Sequence, residues 1–351
     1  MNILIIGGTG FISGYLSHRL TEGGHSVSVL TRGKTSSPVF SHDNLHYIEG
    51  DRTDEHSLKS AVGNTTFDVV YDMIAYRPEE SEIAVRVFKG NVGRFIHCST
   101  ISVYMISDRV RCPVTEDQDT LPVMPFWDRN PFGMEYGILK RKCEDILWKA
   151  HDERSFPVSM LRPTYVCGPN DPMRRDYFWI QRLLDGKPVL VPGSGDHTFH
   201  PVYVGDVAQA FVSLLENEQS VGEAYTVAGG EIFSLNEYLH RLAGILNVDP
   251  KFISIPHKLF DSLQISTWPG EDVFPFDVRG TAVFSIEKIK RDLQFDPTPF
   301  DMWIKETIEW YRRTHKNNSP GYENRLREEE VAQQYSEIIG KANRKFKQLN
   351  F

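Results

Sequence analysis

Apolar positions along the chain switch repeatedly between a strand period and a helix period. The opening run Met1-Asn-Ile-Leu-Ile-Ile6 breaks into Gly7-Gly-Thr-Gly10, and apolar residues return at helical intervals over residues 11–20. That pattern predicts a strand, a tight turn and a helix. Residues 25–30 alternate as a second strand does. Further strand-like runs lie at 45–48, 68–73 and 94–98, with helical spacing near 55–62 and 79–88 between them, and a longer helical pattern runs from Tyr136 to about residue 150. Strands alternating with helices predict a doubly wound parallel α/β sheet.

Beyond Asp176 the strands are shorter, at 189–191 and 224–227, and Ser234-Leu-Asn-Glu237 reads as a capping box that opens a helix to Leu246. The expected division is a first domain of residues 1–165, with 195–227 returning to it, and a smaller region of residues 166–194 and 228–315. Trp268, Pro269 and Phe274-Pro-Phe276 could line a pocket there or pack a loop. A polar linker, Lys316-Asn-Asn-Ser-Pro-Gly321, leads into the charged segment 323–351, whose weak apolar periodicity at Val331, Tyr335, Ile338 and Ile339 fits a helix laid on the body or on a partner, or else a disordered tail.

The glycines add chemistry to the first turn. Gly7 lets the chain turn sharply, Gly10 lets backbone N–H groups approach a pyrophosphate, and the helix opening at Phe11 and Ile12 presents its positive end to that anion. The third position of such a turn holds Ser13, which is small enough to fit. A dinucleotide is the natural occupant. A site for NAD usually closes the second strand with Asp or Glu on the ribose hydroxyls, whereas this strand ends Thr31-Arg32-Gly33-Lys34. Arg32, with Lys34 behind it, points to the extra phosphate of NADP, and NAD is the alternative. Asp51 follows the third strand and Ala75 the fourth, at positions suited to the adenine and to the cofactor path.

Composition narrows the class. At 351 residues the chain can bury one large or two medium cores, and 40% hydrophobic with 25% charged residues is ordinary for a soluble protein. The net charge of -8, without a basic block, argues against nucleic acid as the partner. Cys98, Cys112, Cys143 and Cys167 lack metal-type spacing, so reduced thiols and no metal site are expected. No apolar run reaches membrane-spanning length, and the N-terminus enters a strand directly, so a cytoplasmic location without a membrane partner is expected.

Tyr136 and Lys140 are four apart and share a helix face. A phenol is a poor base at neutral pH, but a neighbouring ammonium and a cationic nicotinamide ring both favour the phenolate. A hydroxyl from Thr100 or Ser99, in the Ser/Thr cluster after the fifth strand, could hold the substrate oxygen while Tyr136 exchanges its proton.

Together, Gly7-x-x-Gly10, Ser99-Thr-Ile-Ser-Val-Tyr104 and Tyr136-Gly-x-x-Lys140 resemble the extended short-chain dehydrogenase/reductase family, the NAD-dependent epimerase/dehydratase group. The likeness continues in Leu161-Arg-Pro-Thr-Tyr-Val-Cys-Gly-Pro169, in Pro201-Val-Tyr-Val-Gly-Asp-Val-Ala208 and in Leu293-Gln-Phe-Asp-Pro297. It implies a Rossmann-type sheet with a smaller C-terminal substrate-binding region. Tyr136, Lys140 and Thr100 would be catalytic. Gly7, Gly10, Phe11, Ile12, Arg32, Asp51, Ala75, Ser99 and Lys140 would hold the cofactor, and Ser102, Tyr165, Arg174 and Arg175 would face a small-molecule substrate. Asp206 resembles the family's helix start that ties two domains together, and a homodimer through the helix of Tyr136 is implied.

Departures from the family pattern sharpen the reading. Sugar 4,6-dehydratases place an Asp-Glu pair where this chain has Ile101 and Ser102, and Ile101 cannot transfer a proton. Tyr165 stands where nucleotide-sugar enzymes often have Asn, and Phe199-His200 lies near the usual phosphate-binding Arg. The leading expectation is an epimerase acting on a nucleotide-linked sugar. A ketoreductase or alcohol dehydrogenase of specialised metabolism is the alternative, and a non-catalytic RNA-binding or structural relative is the third.

Overall fold

The computed structural model describes residues 1–33, 41–126, 133–153, 156–263, 274–314 and 317–348. They form two compact units. The first comprises Met1–Val166, His200–Gly230 and Ala282–Thr298; the second comprises Cys167–Phe199, Glu231–Thr281 and Pro299–Phe351.

The first unit is built on strands β1 (Asn2–Ile6), β2 (Ser26–Thr31), β3 (Leu45–Glu49), β4 (Phe67–Asp72), β5 (Val92–Cys98) and β6 (Val158–Pro163). Helices α1 (Phe11–Glu22), α2 (Glu55–Val62), α3 (Pro78–Phe88), the short α4 (Ser102–Met105) and α5 (Met134–Asp152) connect them. With the strand Ala224–Val227 they make a seven-stranded sheet in the order Ala224–Val227, β6, β5, β4, β1, β2, β3, and every described pairing within it is parallel. β1 is a continuous apolar run because both its faces are covered: Ile3 and Ile5 face one core with Leu16 and Val207, while Leu4 and Ile6 face the other with Leu58 and Phe95. The returning segment Ala282–Thr298 is held by Asp206, whose carboxylate accepts from the Thr298 hydroxyl at 2.6 Å and its N–H at 2.8 Å. That bond lies inside the first unit.

The second unit pairs strands Val189–Pro192 and Phe252–Ile255 in parallel, beside the helices Arg175–Leu184, Leu235–Leu246 and Phe300–Thr314. Ser234 and Glu237 close a reciprocal capping box at the start of Leu235–Leu246. Phe274 and Phe276 are buried rings; Phe276 stacks on Phe199 at 4.4 Å and also borders a small cavity with His257 and Leu235, and Phe274 packs against Phe178 and Trp179. Trp268 and Pro269 lie outside the described residues.

The C-terminal segment forms the helix Arg325–Lys347. It is fastened by its first turns. Glu328 accepts from Arg182 at 2.6 and 3.0 Å with both side chains fully buried, and the Arg182 guanidinium lies 3.4 Å from the Phe178 ring. Removing one member of a buried pair strands the other charge, at a cost of about 3–5 kcal/mol. Glu328→Ala should therefore lower the unfolding free energy of this unit by that amount, read from the fall in its urea midpoint followed by tryptophan fluorescence. Exposed Glu330→Ala should stay within about 0.5 kcal/mol of wild type. Equal midpoints for the two variants would show that the helix is not fastened here.

Candidate functional site

Strand order reverses between β1 and β4, and in such sheets ligands bind outside the carboxyl ends of the strands at that reversal. β1 delivers Gly7 there at φ +83, a left-handed conformation, and a Cβ on Gly7 would come within 2.6 Å of the Ile74 side chain. Only glycine fits. Ser13 then closes the turn by donating to the Gly7 carbonyl at 2.7 Å and accepting from the Gly10 N–H at 3.1 Å. Phe11 and Ile12 open α1, so their N–H groups have no carbonyl partner within the helix. A Cβ at Gly10 would meet only the Ser13 hydroxyl, at 3.4 Å. The turn thus offers bare backbone and a helix N-terminus, which is what a pyrophosphate needs.

Around this turn, Asp51 accepts from the Thr53 N–H at 2.9 Å and the Thr53 hydroxyl at 2.7 Å, and its own N–H donates to Ser57. Arg32 is exposed just past β2. Thr31 pairs with Glu49 of β3, and a Cβ on Gly33 would stand 3.1 Å from the Glu49 carboxyl group. A carboxylate therefore borders the end of β2, although it comes from the neighbouring strand. Lys34 lies outside the described residues.

The chemistry-bearing groups gather past β4 and β5. α5 can approach them because Gly137 has no side chain; a Cβ there would fall 2.5 Å from the Ser102 carbonyl. That close packing sets Tyr136 beside the loop after β5. Tyr136 and Thr100 are close enough for the Thr100 hydroxyl to favour the phenolate, and Thr100 is hydrogen-bonded to Ser102, hydroxyl to hydroxyl, at 3.2 Å. The Tyr136 ring is partly exposed, yet its phenol is crowded enough that burial, with Cys98 and Tyr76 nearby, raises its pKa. In the protein alone it is a neutral proton donor.

Lys140 does not direct its ammonium at Tyr136. It is buried, and Nζ donates to the Ala75 carbonyl at 2.8 Å and the Cys98 carbonyl at 2.7 Å, with His97 Nε2 at 3.1 Å. The three acceptors use the three N–H bonds of an ammonium. The sequence argument that Lys140 promotes the phenolate thus meets a geometry in which its charge is held at the strand ends. Ser99 turns inward and donates to Glu144, so Thr100 is the hydroxyl placed beside Tyr136. Ala75 contributes its carbonyl.

Tyr165 is half-buried in the short strand Tyr165–Cys167 of β-structure following β6. Arg174 and Arg175 belong to the second unit; Arg175 lies 3.6 Å from the Asp171 carboxylate, and its N–H donates to the same group at 3.1 Å. Phe199 is buried, and His200, also buried, bonds the Gly229 carbonyl at 2.8 Å and is held neutral by burial.

Several residues were not singled out from sequence. Glu144, four positions past Lys140, continues the face of Tyr136, and that spacing was a usable signal. It accepts from Arg162 at 2.7 and 3.0 Å; the fully buried guanidinium also reaches Asp119 at 2.5 Å and the Tyr104 hydroxyl at 2.8 Å. Tyr76 lies 6.4 Å from Tyr136, ring to ring. His97 was readable only as a polar residue within an apolar strand. Among the described residues no group of three or more His, Cys, Asp or Glu could hold a metal, the four cysteines are free, and no helix is long and apolar enough to cross a membrane.

Comparison with known proteins places this geometry. The model of the NAD dependent epimerase/dehydratase family matches residues 3–228. The chain is 29% identical to the chloroplast stem-loop binding protein of 41 kDa b of Arabidopsis thaliana, over 86% of this chain and 76% of that protein. It is 24% identical to a UDP-N-acetyl-alpha-D-glucosaminuronate decarboxylase of Bacillus cytotoxicus, over 88% and 97%. A UDP-glucose 4-epimerase solved with UDP-glucose from Thermotoga maritima shares the fold, with TM-score 0.70, 22% identity and coverage of 90% and 99%. With the glycine turn, the seven-stranded parallel sheet and a match across most of the first unit, the chain belongs to the NAD-dependent epimerase/dehydratase family of extended short-chain dehydrogenases/reductases.

Proposed function

We propose that this chain is a nicotinamide-dependent epimerase that inverts a carbinol centre of a nucleotide-linked sugar, with Tyr136 as acid and base. The observation that carries the reading is the seating of α5 on the loop after β5, where Gly137 lies against the Ser102 carbonyl and sets Tyr136 near Thr100, one helical turn from the buried Lys140 ammonium. Thr100 would hold the substrate oxygen and Tyr136 would exchange its proton. Burial keeps the phenol protonated, ready to donate as a ketone is reduced. In the opposite direction the hydroxyl proton passes to the phenolate, and the fixed charge of Lys140 favours that state through space. Gly7, Gly10, Phe11 and Ile12 would hold the cofactor's pyrophosphate, with Asp51, Ala75 and Ser99 along its path. The cofactor, when bound, supplies reversible acceptance and return of hydride. Ile101 and Ser102, in place of a proton-transferring pair, support epimerisation over dehydration.

A net ketoreductase is the second reading. Phe199 and His200 favour it, because a buried ring and a neutral imidazole give no charge to a diphosphate. A cofactor retained through purification supports the epimerase; a stoichiometric requirement supports the reductase. The plant stem-loop binding relative motivates a third, RNA-binding reading, which the acidic charge opposes. A homodimer through α5 and binding of Ser102, Tyr165, Arg174 and Arg175 to substrate complete the proposal.

Tyr136→Phe should lower kcat by about 10²–10⁴-fold in a panel of UDP- and TDP-hexoses while dinucleotide affinity is unchanged. Full activity in that variant, or no turnover of any sugar or ketone by wild type, would sink the catalytic reading. Salt-dependent RNA affinity indifferent to the variant would then favour the third.

For the cofactor we propose NADP, through Arg32, against the opposing charge of Glu49. Arg32→Ala should weaken NADPH by about tenfold and leave NADH alone, whereas Glu49→Gln should tighten NADPH, since each substitution changes one charge near the 2′-phosphate. Isothermal titration with both dinucleotides reads this directly. Equal effects of Arg32→Ala on NADH and NADPH would remove Arg32 from the phosphate site.

A further inference from the structure

His97 is fully buried on β5, flanked in register by Asp72 of β4 and Met160 of β6. Its Nε2 lies 3.1 Å from Lys140 Nζ. An ammonium can only donate, so Nε2 is the acceptor and the ring proton of a neutral imidazole sits on Nδ1. Burial, with the cationic Lys140, Arg52 and Arg162 around it, holds the ring neutral. Nδ1 is buried without a protein partner, so no bond there accounts for a histidine at this place. The contact with Lys140 does.

We propose that His97 is a positioning residue for Lys140: Nε2 accepts a hydrogen bond from the third ammonium N–H, alongside the carbonyls of Ala75 and Cys98, and so keeps a full positive charge at the strand ends near Tyr136. An apolar side chain would leave one charged N–H unpaired in a site closed to water, a situation relieved by loss of the proton. The ionisable and charged groups around Lys140 are Asp72 from β4, Cys98 from β5, and Cys143 and Glu144 from its own helix, while Arg52 and Arg162 face His97 from the segment after β3 and from β6. Burial already lowers the pKa of Lys140. Removing an acceptor lowers it further, so the charge is lost at lower pH, and the consequence is confined to the alkaline side.

The inference rests on Lys140 lying by the cofactor, as read above, and its test does not require turnover. NADH and NADPH binding would be followed by fluorescence from neutral to alkaline pH for wild type, His97→Phe and His97→Gln, where the Gln side chain restores a neutral acceptor. Phe should match wild type at neutral pH and bind about tenfold more weakly at alkaline pH, and Gln should restore the wild-type profile. A merely structural role would weaken binding equally at every pH. That result, or a Phe variant that follows wild type throughout, overturns the proposal. NMR of nitrogen-labelled histidine in wild type serves as a second measurement should the Phe variant fail to fold, or should no dinucleotide bind and the cofactor reading itself fail. A neutral His97 with its proton on Nδ1 supports the contact; an imidazolium, or a proton on Nε2, removes it.

Discussion

The buried ammonium of Lys140 is the constraint that ties β4, β5 and α5 together at the strand ends of the first unit. A charge removed from water is tolerable only when its hydrogen-bonding capacity is met. Here the acceptors are the carbonyl of Ala75 after β4, the carbonyl of Cys98 at the end of β5, and His97 within β5. They come from two adjacent strands. The lysine therefore fixes how far β4 and β5 run before they turn, and it fixes the height at which α5 crosses them.

Two further features make that crossing possible. Gly137 admits the Ser102 carbonyl to the helix surface, and Glu144 locks the same face to β6 through Arg162, with Ser99 and Glu144 also joined. Tyr136, Lys140 and Glu144 thus form a ladder with distinct tasks. Glu144 anchors the helix in a closed ion-pair network, Lys140 holds a charge, and Tyr136 at the outer rung is the group left facing solvent. The rigidity of the inner rungs gives the outer one a defined place.

The sheet, its parallel pairing and the glycine turn were legible because each has a local signature: the apolar run of β1, the alternation in β2, the helical return after Gly10. The face shared by Tyr136 and Lys140 was legible for the same reason. Direction was not. Spacing puts Lys140 on the right face of α5 but does not reveal that its ammonium goes to Ala75, Cys98 and His97, because those acceptors come from other strands. Glu49 shows the same limit: register with Thr31, not sequence, brings its carboxylate to the end of β2. Ser99 and Thr100 were interchangeable as adjacent hydroxyls until Glu144 engaged the first.

Electrostatics distinguishes the two units. In the first, charge is concentrated at the strand ends and held there by neutral acceptors and buried pairs. In the second, the charges are balanced within the unit: Arg182 by Glu328, and Arg175 beside Asp171. Phe199 stacks on Phe276, and the buried, neutral His200 follows it. On the epimerase reading proposed above, a diphosphate would find no charge at Phe199 or His200. On the readings proposed above, it is this stretch rather than the glycine turn that separates an epimerase of nucleotide-linked sugars from a ketoreductase.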